Sequence, residues 1–317
     1  MFVVAGESLI DMVSEPRGAD GVIHMHAHQG GSPYNCAIAL AKLGNDSGFL
    51  CPISRDGMGD YLMEPLAEAG VSALLGERVR EPTTLAVVTL NEKRQARYEF
   101  YRGAERALDR DKLIAALPQK LDLYQTGGFC PIVPEDAAIW LDVIAAARAR
   151  GATISIDPNV RPSLVDDFAG YKQRLGRFLD LAHIIKVSDE DLEALDPALS
   201  IEAHAAAFLA RPSCELVVVT LGEKGSLAFT AAGRGRADIW SPPVFGDTVG
   251  AGDSLMAGIL SILAERGDLQ PGRLAALDAR ALDEILRFGA VVAGLNCGQV
   301  GCKPPTRAEV DAVLARA

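Results

Sequence analysis

The chain has 317 residues, 49% hydrophobic and 23% charged, an ordinary composition for a soluble globular protein with a large core. Its 42 acidic against 31 basic residues give a formal net charge of −11, which argues against a nucleic-acid partner, although a single nucleotide needs only a local patch of N–H groups and cations. Apolar runs such as 255–264 are too short to span a bilayer, and the N-terminal stretch meets Glu7 and Asp11 before a leader pattern develops, so neither a membrane span nor a signal peptide is expected.

Short β-branched runs at 2–5, 48–53, 122–126, 153–157, 183–187 and 216–220 read as strands. Amphipathic patterns fall between most of them. One helix is expected after Ser32-Pro33, with Ser32 as N-cap and the proline opening the helix; others cover 134–150, 168–181, 251–265 and 278–296. This alternation predicts an α/β fold with a doubly wound, mainly parallel sheet flanked by helices. Two regions break the rhythm: 21–28 and 83–101 read as strands with no helix between, and 87–90 with 96–101 suggests a hairpin around 91–95. They predict a small β-sheet lid, with lid segments at about 12–30 and 83–103, on a single domain of residues 1–317. His24, His26 and His28 alternate along one of these strands, which invites a metal reading. With no acidic or thiol partner nearby in sequence, an exposed or substrate-facing strand is the reading taken.

The six cysteines, Cys36, Cys51, Cys130, Cys214, Cys297 and Cys302, form no C-x-x-C pair and lie in apolar segments. That pattern predicts reduced, buried thiols and a cytoplasmic location; a redox switch between Cys297 and Cys302 is the lesser reading.

The segment Gly246-Asp247-Thr248-Val249-Gly250-Ala251-Gly252-Asp253-Ser254 carries the most chemistry. Small residues at Gly250, Ala251 and Gly252 allow a ligand to approach backbone, and a helix starting there points free N–H groups and its dipole at an anion. Asp253 is out of place in an anion site unless it caps the helix or accepts a proton from an attacking hydroxyl. Near the N-terminus, Gly30-Gly31-Ser32-Pro33-Tyr34-Asn35 is a glycine turn before a helix. It offers amides to hydroxyl groups, and Asn35 can donate and accept at once. The chain has no G-x-x-x-x-G-K, no G-x-G-x-x-G after a strand, no H-E-x-x-H and no G-x-S-x-G, so the usual P-loop, dinucleotide and hydrolase readings lack support.

DTVGAGDSLMAG and GGSPYN followed by AIALAKLG resemble, in order, the two motifs of ribokinase-like (PfkB) carbohydrate kinases, and the resemblance covers essentially the whole chain. It implies ATP-dependent phosphorylation of a sugar primary hydroxyl, with Asp253 as base and Gly250, Ala251 and Gly252 as anion hole. Sugar would be bound by Asp11, Gly30, Gly31, Asn35, Tyr101, Arg102 and Arg161 beside Asp253. Thr220, Gly222 and Gly225 of the TLGEKG segment match the nucleotide loop, with Lys186, Gly250, Gly252 and Ala290 as further nucleotide contacts; Ala290 stands where relatives often have asparagine. The resemblance implies magnesium through water at Asp191, where Ser188 and Asp191 replace the family's Asn and Glu. It also implies a potassium-type site of Asp247 with carbonyls of Val249, Cys297, Val300 and Cys302. YRGA and DPNVRP resemble fructokinases and imply fructose; 2-keto-3-deoxygluconate kinases share these elements, ribokinase remains open, and a non-catalytic sugar or nucleotide sensor is the reading from another class. A homodimer through the lid is a further expectation.

Overall fold

The computed structural model describes residues 1–15, 21–90, 96–270 and 272–316. The chain runs β1 (Phe2–Ala5), β2 (Leu9–Ser14), β3 (Met25–Gly30), α1 (Ser32–Lys42), β4 (Ser47–Leu50), α2 (Gly57–Glu68), β5 (Ser72–Ala73), β6 (Leu85–Leu90), β7 (Ala96–Tyr101) and α3 (Arg110–Ala116). It continues with β8 (Leu123–Gly127), α4 (Pro134–Ala149), β9 (Thr153–Asp157), α5 (Phe168–Leu179), β10 (Ile184–Ser188), α6 (Asp189–Leu195) and α7 (Ile201–Leu209). The last part is β11 (Leu216–Thr220), β12 (Ser226–Phe229), β13 (Arg234–Ala237), α8 (Ala251–Glu265), α9 (Ala279–Cys297) and α10 (Arg307–Leu314).

Nine strands form one sheet in the order β13-β12-β11-β10-β9-β8-β1-β4-β5. The run from β11 to β5 is parallel, and β12 and β13 add an antiparallel edge. Period-two alternation divides each strand between two helical layers. Phe2 and Val4 of β1, Ile184 of β10, and Leu216 and Val218 of β11 join a core with α1, α8 and α9. Val3, Ala5, Ile185, Val187, Val217 and Val219 join the opposite core with α4, α5 and α7. The doubly wound prediction holds, and all parallel strands point their C-terminal ends at one edge.

The second sheet, β3-β2-β6-β7, stands over that edge. Its β2–β3 and β6–β7 pairs are antiparallel, whereas β2 and β6 run parallel, so the lid is mixed. It begins at Leu9, not near residue 12, and β3 starts only at Met25, later than the sequence suggested. The expected hairpin turn at 91–95 lies outside the described residues. Glu15 sits at 2.5 Å from His26, so the histidine strand does have an acidic neighbour, brought there by antiparallel pairing. No group of three or more His, Cys, Asp or Glu among the described residues could hold a metal. No described helix is long and apolar enough to cross a membrane.

Candidate active site

At the entrance to α8, Gly250 takes a left-handed φ of 72°, which a side chain would strain; a Cβ there would also strike the Cys302 thiol. Of the amides that follow, Ala251 N donates to the Thr248 carbonyl at 3.1 Å and Ser254 N to that of Gly250 at 2.8 Å, so Gly252 and Asp253 are the first-turn amides left to face an anion. The cap carries no side-chain hydrogen bond, which removes the reading of Asp253 as a simple helix cap. Instead Asp253 reaches α1: its Oδ1 accepts from Ser32 Oγ at 2.6 Å, and its Oδ2 accepts from Asn35 Nδ2 at 2.9 Å. Ser32 is therefore not the cap of α1, which falls to Gly31. Burial raises the Asp253 carboxyl above the usual range, against the lowering influence of Ser32, Asn35, Lys186 and Arg161.

Strand alternation sends Lys186 to the α8 side of the sheet. Its ammonium donates to Asp157 Oδ2 at 2.8 Å, and both residues are buried. A Cβ on Gly252 would lie 3.2 Å from the ammonium, so the glycine lets a cation sit directly under the anion turn. Burial opposes the charge on Lys186, but Asp157, Asp191 and Asp253 outweigh it and hold the amine protonated. A helix N-terminus with a cation beneath it is a seat for a phosphoryl group.

The Asp11 carboxylate lies over Gly30, and burial pushes it up to about 6. Across the lid, register pairs Asp11 with His28 and Ala86, and Ala86 with Phe100. Phe100 thus shares the face of Asp11 and packs edge-on against Phe129 at 5.4 Å. Tyr101 falls on the opposite face with Leu85 and is 60% exposed, so the structure does not gather it with the other sugar residues. The reason is the register of β6 and β7, which the sequence does not reveal.

Arg102 is held rather than free. Its Nε donates to Glu105 Oε1 at 2.6 Å, Nη2 lies 3.6 Å from Asp136, and the guanidinium covers the Phe129 ring at 5.1 Å. Arg161 is exposed and its Nη1 donates to the Val160 carbonyl at 3.2 Å, while its charge acts on Asp253. Sequence reasoning passed over Glu7. This buried carboxyl accepts from the Phe129 amide at 3.0 Å, and burial pushes it up to about 7.

Thr220 ends β11 beside the end of β10, and Gly222 and Gly225 shape the turn that follows, both at positive φ. Ala290 is buried on α9 and borders a cleft of about 320 Å³ with Ile239, Trp240 and Arg287. A cavity of about 760 Å³ opens at the other end of the strands around Lys120 and Arg150, away from this chemistry.

Asp191 uses both oxygens on backbone: Oδ1 accepts from Val160 and Oδ2 from Ser188, each at 2.7 Å. The Ser188–Asp191 pair is a capping box, so Ser188 serves as a helix cap, and among the described residues direct metal ligation by Asp191 has no neighbouring donor set. Asp247 likewise accepts from Val249 N at 2.9 Å and Gly301 N at 2.7 Å. Buried Asn296, unnoticed in the sequence, donates to the Val249 carbonyl and accepts from Lys303 N, both at 2.8 Å. The Cys297 carbonyl accepts from Gly246 N at 2.8 Å, and Val300 is exposed. These residues form one knot that braces the anion turn from behind.

A doubly wound sheet with a glycine turn at a helix start, a buried cation and an aspartate held by Ser32 and Asn35 has the make-up of a small-molecule phosphotransferase of the ribokinase-like fold. Residues 1–309 match the family described as pfkB family carbohydrate kinase, and the chain belongs to that family. It is 32% identical over 323 residues to the probable fructokinase-4 of Arabidopsis thaliana, covering 99% of this chain and 96% of that protein. It is 33% identical over 285 residues to the fructokinase of Rhizobium leguminosarum bv. trifolii, covering 89% and 85%. A solved fructokinase of Xylella fastidiosa with bound ATP superposes with a TM-score of 0.86 at 26% identity, covering 99% and 98%.

Proposed function

We propose that the protein transfers the γ-phosphoryl group of ATP to the primary hydroxyl of fructose, giving fructose 6-phosphate. The observation that carries the transfer is Asp253, held by Ser32 and Asn35 at the mouth of α8 with Lys186 beneath the adjoining turn. Sugar hydroxyls bind Asp11, the Gly30–Gly31 turn and Asn35. Arg161 stands at the rim, and Phe100 replaces Tyr101 as the aromatic neighbour. Asp253 takes the hydroxyl proton as the oxygen attacks phosphorus. The Gly250, Ala251 and Gly252 backbone and the Lys186 ammonium stabilise charge on the transferring group. Thr220, Gly222 and Gly225 line the nucleotide, with Ala290 towards the base. The lid limits water, and so wasteful hydrolysis of ATP.

Magnesium fits as a partner carried by the phosphates, with Asp191 acting through water, and it neutralises phosphate charge. A monovalent cation would join the knot of Asp247, Val249, Cys297, Val300 and Cys302 as an additional partner of carbonyls that keep a lone pair. Kinase activity in potassium against tetramethylammonium tests that site.

Fructose is favoured over a sugar acid because Arg102 is already paired with Glu105 and Asp136, and because the relatives named above are fructokinases. A homodimer through the lid is part of this reading, supported by the exposed Val13, Ile23 and Met25. All six cysteines are free thiols, four of them buried, which fits a cytoplasmic protein. A coupled assay of ADP release with a panel of sugars tests the proposal; sugar binding without ADP release would make the protein a sensor instead.

A further inference from the structure

The chemistry above gives no role to Asp157. It is the last residue of β9 and is 4% exposed. Its Oδ2 accepts from Lys186 Nζ at 2.8 Å, whereas Oδ1 has no hydrogen-bond partner among the described residues. Its orientation is therefore tied to Lys186 alone. Lys186 is itself 6% exposed and senses three carboxylates, Asp157, Asp191 and Asp253. Two of them are engaged elsewhere. Asp191 holds the Val160 and Ser188 amides, and Asp253 holds Ser32 and Asn35. Asp157 is the acceptor that the ammonium actually bonds.

A buried ammonium is costly unless it is paired and hydrogen-bonded. If that partner were Asp253, the ion pair would lower its basicity and neutralise the charge meant for phosphate. The ammonium lies against Gly252, with Asp253 the next residue, so the two uses of Lys186 compete over a very short distance.

We propose that Asp157 is a positioning residue for phosphoryl transfer: by holding the Lys186 ammonium beneath the Gly250–Gly252 turn, it reserves that charge for the incoming phosphate and keeps it off the Asp253 carboxylate. This rests on the kinase reading. The titratable and charged groups that act on Asp253 are Lys186 from β10, Asp157 from β9, Arg161 from the following loop, Glu7 beyond β1, Cys36 from α1 and Cys302 from the loop after α9. Among these, Asp157 and Lys186 act in opposite directions, which gives the test its sign.

The experiment is the pH profile of kcat with fructose and ATP for the wild type, Asp157→Asn and Lys186→Met. In Asp157→Asn, kcat falls roughly 10²-fold, as small misplacements in a transfer site do, while the fructose KM stays within a few-fold. Its acid limb moves to lower pH, because Asp253 loses a like charge and gains the released ammonium. In Lys186→Met the acid limb moves to higher pH. A merely structural role lowers activity without moving the two limbs apart. An unmoved or upward limb in Asp157→Asn, or full kcat, overturns the proposal. Should Asp157→Asn fail to fold by circular dichroism, Asp157→Ser takes its place with the same expected results and the same overturning ones. A wild type that releases no ADP with any sugar brings down the kinase reading instead, so the two failures are distinct.

Discussion

Asn35 Nδ2 donates to Asp253 Oδ2 at 2.9 Å, joining the first turns of α1 and α8 across 218 residues of sequence. Each of these helices opens on a glycine turn, one suited to hydroxyls and the other to phosphate. On the proposed reading, the bond ties the two substrate seats together through the Asp253 carboxylate. Ser32 completes the clamp at Oδ1, so the carboxylate cannot rotate away from the helix mouth.

Asp253→Asn keeps the size of the side chain and one of its two acceptors but removes the base. Turnover should fall by about 10² to 10⁴, with ATP and sugar still bound. Steady-state rates and calorimetry on the purified, folded variant check this; near-normal turnover would remove Asp253 from the mechanism. Because burial raises the Asp253 carboxyl, the wild-type rate should fall on acidification from a higher pH than an ordinary aspartate would give.

Asp11→Ala should weaken sugar binding by about 1.5 to 3 kcal/mol and leave ATP binding nearly intact, since on the proposed reading its acceptors meet sugar hydroxyls and not phosphates. Burial places the Asp11 carboxyl at about 6, so wild-type sugar affinity should decline as pH drops through that value and the carboxylate loses acceptor capacity. Equal losses for both ligands by calorimetry would make Asp11 a structural residue.

The motifs made the anion turn, Asp253, Asp11 and Asn35 legible, because local backbone needs and hydroxyl chemistry leave short-range marks. The parallel sheet was legible for a similar reason: strands buried on both faces read as continuous apolar runs such as Leu216–Thr220. Three kinds of feature were not. Strand β2 was hidden because it follows β1 after only Gly6, Glu7 and Ser8, with no turn signature strong enough to divide them. That Phe100 and not Tyr101 shares the face of Asp11 depends on lid register, which is a property of paired strands and not of either one. The Asp157–Lys186 pair and the Asn296 brace join residues far apart in sequence or lying in ordinary apolar surroundings, where nothing but the fold shows what they touch.

The register makes its own prediction. Phe100→Ala should raise the KM for sugar, because the ring shares the face of Asp11 and supports Phe129. Tyr101→Ala should leave it near the wild-type value, because that ring is 60% exposed on the other face. Kinetics on the two single variants decide it, and the reverse ranking would mean that the lid pairs in a different register when sugar is bound.

Glu7 predicts a stability effect of definite sign. Its carboxyl rises from 4.5 to about 7 in the fold, chiefly through burial. Between those values the folded chain keeps a proton that the unfolded chain has released. Stability from this group is therefore fully present below 4.5 and is lost as pH rises through 7. At about 1.4 kcal/mol per pKa unit, the loss is at most roughly 3 kcal/mol. Glu7→Gln keeps an acceptor for the Phe129 amide without the charge. It should raise the denaturation midpoint above neutral pH and change it little at acidic pH. Thermal melts across pH are the measurement, and a destabilisation largest at alkaline pH would show that the ionised form is needed.

Substrate choice turns on Arg102. A sugar acid would need a cation with an unmet charge, and an arginine fork can clamp a carboxylate when it is free to do so. Here Glu105 takes Nε at 2.6 Å, Asp136 stands 3.6 Å from Nη2, and Phe129 covers the plane. Glu7 adds a further acidic group that acts on the same guanidinium. The local charge is balanced or negative even counting Arg106, which is itself paired with Asp136 at 2.9 Å. One donor, Nη1, is buried without a hydrogen-bond partner among the described residues, and a neutral hydroxyl or carbonyl oxygen satisfies one donor without bringing a charge into an acidic setting. A carboxylate would face Glu105 and Asp136 across the same guanidinium. Sites that match hydroxyls by hydrogen bonding can separate substrates strongly, because a mismatch leaves buried polar groups unpaired. Measured side by side, kcat/KM should therefore be highest for fructose, lower for ribose, and lowest for 2-keto-3-deoxygluconate. Glu105→Gln, which frees the fork, should narrow the gap between fructose and the acid. A wild type that prefers the acid by an order of magnitude would overturn fructose as the substrate while leaving the phosphotransfer chemistry in place.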